Sequence, residues 1–174
     1  MSRDLKDAFG GRAPLGKHPA AATIEDVITF QLHILVAIGE RAGQHWSERM
    51  FDLSLNEWRL LALVKARGPC RASDLADLLL MDKSQTSRVI KSLQKKDLIQ
   101  NMADPTDGRA VVLKISQKGN ALYKDVFAEV MNSNERILAA LSVEEVEAFE
   151  KTLKKLIGHS QDLLEVRLGR KIVR

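Results

Sequence analysis

Ser84, Arg88, Lys91 and Lys95 recur at a 4-3-4 spacing. On a helix turning 100° per residue they form one outward stripe of a small hydroxyl and three cations. Arg pairs bidentately with guanine, small polar groups approach base edges, and Lys neutralises phosphates, so this stripe suits the major groove of DNA. Gln85, Ser87 and Ser92 flank it. A solvated helix face carries the same pattern, and the stripe alone does not separate the two readings. The opposite face, with Thr86, Val89, Ile90 and Leu93, is the one that must be buried.

The neighbouring segments supply a scaffold for the stripe. Residues 71–80 read as a short helix with Leu75, Ala76, Leu78 and Leu79 as its apolar positions, and Met81-Asp82 makes a tight turn in which Asp82 can cap the basic helix. A helix, a turn and a basic helix match the motif whose second helix enters the groove. Downstream, residues 98–102 and 110–115 are β-prone runs joined by the turn-rich Ala103-Asp104-Pro105-Thr106-Asp107-Gly108, which predicts a hairpin with a long polar tip.

Three segments carry a resemblance to a known family: Ser-Asp-Leu-Ala at 73–76, Lys-Ser-Gln-Thr-Ser-Arg at 83–88, and Asp-Pro-Thr-Asp-Gly-Arg at 104–109 followed by Ala-Val-Val-Leu. Each is weak alone, but together they resemble the MarR-type winged-helix transcriptional regulators over residues 53–126. The resemblance implies that Arg109 enters the minor groove and that Asp107 holds its guanidinium in place, in keeping with the use of Arg in narrow minor grooves. An ion pair within the wing is the structural reading of the same two residues, and it is compatible with DNA contact. Many relatives carry a second cation where this chain has Gly108. That departure either weakens phosphate binding or permits a tighter turn, and it leaves Arg109 as the one cation of the tip.

Charge agrees with this assignment. Residues 81–118 hold eight Lys or Arg and four Asp, a net charge equal to the +4 of the whole chain, so the other residues balance to zero. Net positive character therefore coincides with the predicted DNA-binding unit. A basic stretch at 167–174 reads as a solvated terminus. In 174 residues there is no apolar run long enough to span a membrane and no signal-peptide core, so no membrane partner and a cytoplasmic location are expected. The single cysteine, Cys70, excludes an intramolecular disulfide. Oxidation-sensing relatives place their reactive cysteine in the first long helix, whereas Cys70 follows Gly68-Pro69 and reads as a small, partly buried residue.

An enzyme is not expected: there is no Gly-rich phosphate loop, no Gly-x-Ser-x-Gly elbow and no His-Glu-x-x-His. His33 and His45 lie twelve positions apart, too far for a metal pair on one helix, and no metal or cofactor is predicted.

The outer segments complete the plan. Residues 1–22 are rich in Gly, Pro and Ala and read as a flexible arm. A long helix with Ile24, Val27, Ile28, Leu32, Leu35, Ile38 and Ala42 on one side starts at Thr23 and runs to about Phe51. Ser54-Leu55-Asn56-Glu57 is a capping box with Leu53 and Trp58 as its hydrophobic staple, and Ser142-Val143-Glu144-Glu145 is a second box after a helix at 117–140. Leu153, Leu156, Ile157, Leu163 and Leu164 give the last helix an apolar side. One small winged domain cannot cover all these stripes, whereas a second copy can; the alternative is a coiled-coil-like contact with another protein.

The predicted fold is mainly α with a small β-hairpin wing: a winged helix-turn-helix at 53–116, flanked by a dimerisation helix at 23–52 and C-terminal dimerisation helices at 117–174. The predicted function is sequence-specific regulation of transcription, as a homodimeric repressor of a palindromic operator. The family resemblance implies release by a small molecule, such as an aromatic acid or its thioester, with Phe30, His33, Trp46, Phe51, Trp58 and Arg59 as candidate ligand contacts. Core packing explains Trp58 better than ligand contact does, because it already has the staple role. The DNA-binding set is Ser84, Gln85, Ser87, Arg88, Lys91, Lys95, Asp107 and Arg109. The competing reading is a winged-helix module that binds protein without reading DNA, and the salt dependence of binding separates the two.

Overall fold

The structure, a computed structural model, describes residues 21–104, 107–108 and 110–169. Residues 1–20 of the arm predicted at 1–22, the tip residues Pro105, Thr106 and Arg109, and the end of the basic tail at 170–174 lie outside the described residues. The order is a 3-10 turn (Ile24–Asp26), α1 (Ile28–Phe51), α2 (Leu55–Arg67), α3 (Ala72–Leu79), α4 (Lys83–Lys95), β1 (Ile99–Ala103), β2 (Val111–Ile115), α5 (Gln117–Leu138) and α6 (Val143–Arg167). This is the mainly helical fold with one antiparallel hairpin that the sequence predicted. The described chain forms two compact units, one spanning residues 27–133 and the other made of residues 21–26 and 134–169.

Local chemistry sets most of the boundaries. Both capping boxes form: the Ser54 hydroxyl accepts from the Glu57 backbone N–H while Ser54 N–H donates to the Glu57 carboxylate, and Ser142 and Glu145 repeat the exchange at the start of α6. Asp82 caps α4 by accepting from the Gln85 backbone N–H at 2.7 Å. The long first helix begins later than the sequence suggested. Asp26 Oδ2 accepts from the backbone N–H groups of Ala22 and Thr23, which folds residues 24–26 into a tighter turn and moves the helix start to Ile28. The strands differ from expectation by one residue, running 99–103 and 111–115.

Three chain reversals use left-handed residues that are not glycine: Asp52 after α1, Leu80 after α3 and Asp97 after α4. At Leu80 and Asp97 the next residue's N–H closes back on the last helical turn, Met81 to Ala76 O at 3.0 Å and Leu98 to Leu93 O at 2.9 Å. The core of the larger unit gathers Leu53, Trp58, Leu60, Leu61 and Val64 around Leu75, Leu93, Leu98, Ile99, Leu113 and Val126. Each such side chain contributes about 1.5–3 kcal/mol on burial. Leu53 and Trp58, the predicted staple pair, both belong to it. Leu78 does not: it stays 41% exposed, because an eight-residue helix can turn only one narrow side to the core and Leu75 takes it.

Candidate nucleic-acid interface

Helix α4 divides as its sequence predicts. Thr86 and Leu93 are buried, Val89 and Ile90 pack against the core, and Ser84, Ser87, Arg88, Lys91 and Lys95 face solvent. Gln85 is half-buried. No ion pair engages Arg88, Lys91 or Lys95 among the described residues, and the one polar contact of the Arg88 guanidinium is a long 3.5 Å reach to the Ser84 carbonyl of its own helix. The stripe is thus exposed cationic surface. Ser92 departs from the flanking role given to it, because its hydroxyl turns inward and donates to Glu57 Oε1 at 2.6 Å.

The wing stands beside this helix. Gln94 Nε2 donates to Asn101 Oδ1 of β1 at 2.8 Å, and Cys70 bridges to Leu113 of β2 through two backbone hydrogen bonds. A cleft of about 430 Å³ opens between α3, α4 and the strands, with Ala72, Ala76, Ile90, Val111 and Leu113 in its wall and Lys83 and Lys91 among the residues around it. At the base of the tip, Asp104 N–H donates to Ala110 O at 2.9 Å and Ala110 N–H to Asp107 O at 2.8 Å. Asp107, expected to orient Arg109, carries its carboxylate 3.6 Å from the Arg71 guanidinium; Arg109 lies outside the described residues.

Two groups outside the predicted DNA-binding set matter here. Arg71, just before α3, donates to the largely buried Asp104 carboxylate at 3.0 Å, and this bond, with the charge of Asp104, holds the guanidinium pKa above its usual value. Glu57 is the other. Its buried carboxylate accepts from Ser92, from Ser54 N–H and from the Lys96 ammonium. The bonds of Arg71 to Asp104 and of Glu57 to Ser92 and Lys96 join residues more than thirty positions apart, so no local spacing announces them; only the Ser54–Glu57 exchange is local. Cys70 is buried, and that burial, with Asp74 nearby, pushes the thiol pKa up, which disfavours a reactive thiolate.

The candidate ligand residues separate into groups. Trp46 meets Phe51 edge-on at 5.3 Å, and both pack against the core, where Trp58 stacks on Tyr123 at 5.6 Å. Arg59 is paired with Glu40 of α1 at 3.0 Å. Phe30 and His33 contact each other with centroids 6.2 Å apart near the other end of α1. Sixteen residues of helix separate Phe30 from Trp46, a rise of roughly 24 Å, so one small ligand does not touch both.

The family model described as "MarR family" matches residues 53–111, the span from the end of α1 to the start of β2. The chain is 30% identical over 109 residues to the uncharacterised HTH-type transcriptional regulator YxaD of Bacillus subtilis, covering 63% of this chain and 76% of that protein. The chain belongs to the MarR family. It is also 27% identical over 131 residues to the regulator MhqR of B. subtilis, covering 74% of this chain and 90% of that one. Among solved structures, the Staphylococcus aureus MepR–DNA complex superposes with a TM-score of 0.69 at 18% identity, over 79% of this chain and 99% of MepR, and shows the same fold. MarR-family proteins are DNA-binding transcriptional regulators and not enzymes, and here the stripe of α4 lies exposed on the winged fold. Among the described residues no helix is long and apolar enough to cross a membrane.

Proposed function

We propose that this MarR-family protein is a homodimeric repressor that occupies a palindromic operator and leaves it on binding a small molecule, an aromatic acid or its thioester. The observation that carries the reading is the solvent-facing row Ser84, Arg88, Lys91 and Lys95 on α4, beside a wing and free of internal ion pairs among the described residues. In it Arg88 reads a base edge, Ser84, Gln85 and Ser87 make base-edge or nearby backbone contacts, and Lys91 and Lys95 neutralise phosphates. Arg109 enters the minor groove, and Asp107 orients it. The fold likeness to MepR, a protein solved on DNA, supports this arrangement.

Dimerisation is supported by the apolar side chains left at the surface: Ile34, Leu35, Val36 and Ile38 on α1, and Leu156, Ile157, Leu163 and Leu164 on α6. A two-fold dimer carries two recognition helices to half-sites about one DNA turn apart. The aromatic group of Trp46, Phe51 and Trp58, with Arg59 at the neighbouring helix face, supplies the wall and the cation for an anionic aromatic effector. Phe30 and His33 form the second candidate contact.

Fluorescence anisotropy tests the reading, using duplexes from the region upstream of the protein's own gene and a scrambled control at two salt concentrations. Binding should favour the native duplex and weaken steeply with salt. Arg88→Ala should reduce the preference by about 1–3 kcal/mol, the worth of a bidentate base contact. Equal weakening on both duplexes makes Arg88 a phosphate ligand, and absence of binding even at low salt makes the winged lobe a protein-binding module.

A further inference from the structure

We propose that Glu57 is a positioning residue for DNA readout, whose carboxylate fixes the rotation of α4 about its own axis and so the register of the base-facing side chains. The inference rests on the DNA-reading role of α4 given above.

Glu57 lies in the first turn of α2, and its side chain is 8% exposed. Oε1 accepts the Ser92 hydroxyl at 2.6 Å and lies 3.2 Å from Lys96 Nζ; Oε2 accepts Ser54 N–H at 2.7 Å and Lys96 Nζ at 3.3 Å. Ser92 and Lys96 are four residues apart, one turn along a single face at the C-terminal end of α4. Both points lie off the helix axis on one face, so holding them to one carboxylate resists rotation of α4 about that axis and, being a turn apart, resists its tilt as well. The carboxylate is itself held by the capping box, and Lys96 donates in addition to the Asp52 carbonyl at the end of α1. A third tether, Gln94 to Asn101, ties the same half of α4 to the wing.

All three tethers therefore lie in the C-terminal half of α4, whereas Ser84, Gln85, Ser87 and Arg88 lie in the N-terminal half, which carries the base-edge contacts. At a side-chain radius of about 5–6 Å, a rotation of roughly 20° moves a side-chain end by about 2 Å. A bidentate Arg–guanine pair does not survive that displacement, while a long Lys chain follows a phosphate through it. Loosening the Glu57 tether should accordingly cost sequence preference and spare non-specific affinity.

The test measures the affinity of full-length protein for the duplex that the wild type enriches from a random-sequence library, and for a scrambled duplex. Ser92→Ala removes one hydroxyl and no charge, and should lower the specific-to-scrambled ratio by about tenfold, the size of a lost base contact. Scrambled-duplex affinity and salt slope should stay at wild-type values. Ser92→Thr should restore the ratio. Ser92→Ala combined with Glu57→Gln should be no worse than the more impaired single variant, because both break one tether. An unchanged ratio in Ser92→Ala, parallel loss on both duplexes, or multiplying losses in the double variant, as from independent DNA contact by Ser92, would each overturn the proposal. A wild type that enriches no sequence would instead remove the DNA-reading role itself. If Glu57→Gln does not fold, Ser92→Ala and its Thr rescue decide alone.

Discussion

Glu57 stabilises the winged lobe more when it is ionised than when it is protonated. Burial by itself would raise its pKa, but hydrogen bonds from Ser92, Ser54 and Lys96 outweigh the desolvation and hold it below the ordinary Glu value of 4.5. A carboxylate with a depressed folded-state pKa adds stability above its unfolded pKa and loses it as pH falls through the folded value. Urea melts of wild type and Glu57→Gln should therefore differ at neutral pH and converge as the pH is lowered through the acid range below 4.5. A gap that does not change with pH would mean that the charge contributes nothing. At Arg71 the partner carboxylates lie at the base of the wing, so this cation joins the start of α3 to the hairpin.

At the scale of elements, the reversal at Leu80 carries an avoidable cost. Its φ of +51° is unfavourable for a leucine, and the side chain is 79% exposed, so little packing offsets the strain. Leu80→Gly should raise stability by about 1 kcal/mol, read as a higher midpoint in thermal melts. A lower midpoint would show that the leucine packs in the folded protein. Such reversals also mark where the sequence was legible. Capping boxes were readable at Ser54 and Ser142 because donor and acceptor lie within one turn of each other. The two faces of α4 were readable because its burial follows the helical period. Thr23 was misread as a helix start because Asp26, three residues on, takes its N–H for a competing turn. The bonds of Arg71 to Asp104 and of Ser92 to Glu57 join residues brought together only by the fold, and no periodicity encodes them.

Across the whole molecule, the unsettled account is apolar surface. Leu156, Ile157, Leu163 and Leu164 remain at the surface of α6, which contains no buried residue at all, and single chains seldom leave such a row uncovered. Paired substitution of Leu156 and Ile157 by Lys should halve the mass measured by sedimentation equilibrium and weaken operator binding, because one lobe then binds one half-site. A wild-type protein that sediments as a monomer would remove the dimer. One contact has a further use in genetics. Gly119, at the start of α5, approaches the Leu98 backbone so closely that an added methyl carbon would sit 2.0 Å from the carbonyl oxygen. Backbone cannot yield that much, so Gly119→Ala should give protein lost to proteolysis, seen as an absent band in immunoblots of cell extracts. A chromosomal Gly119→Ala allele would then act as a null made by one amino-acid change, and Arg88→Ala as a regulator that is present but impaired in reading its site. Comparing transcript levels between the two strains separates genes that respond to the protein's absence from those that respond only to lost operator recognition.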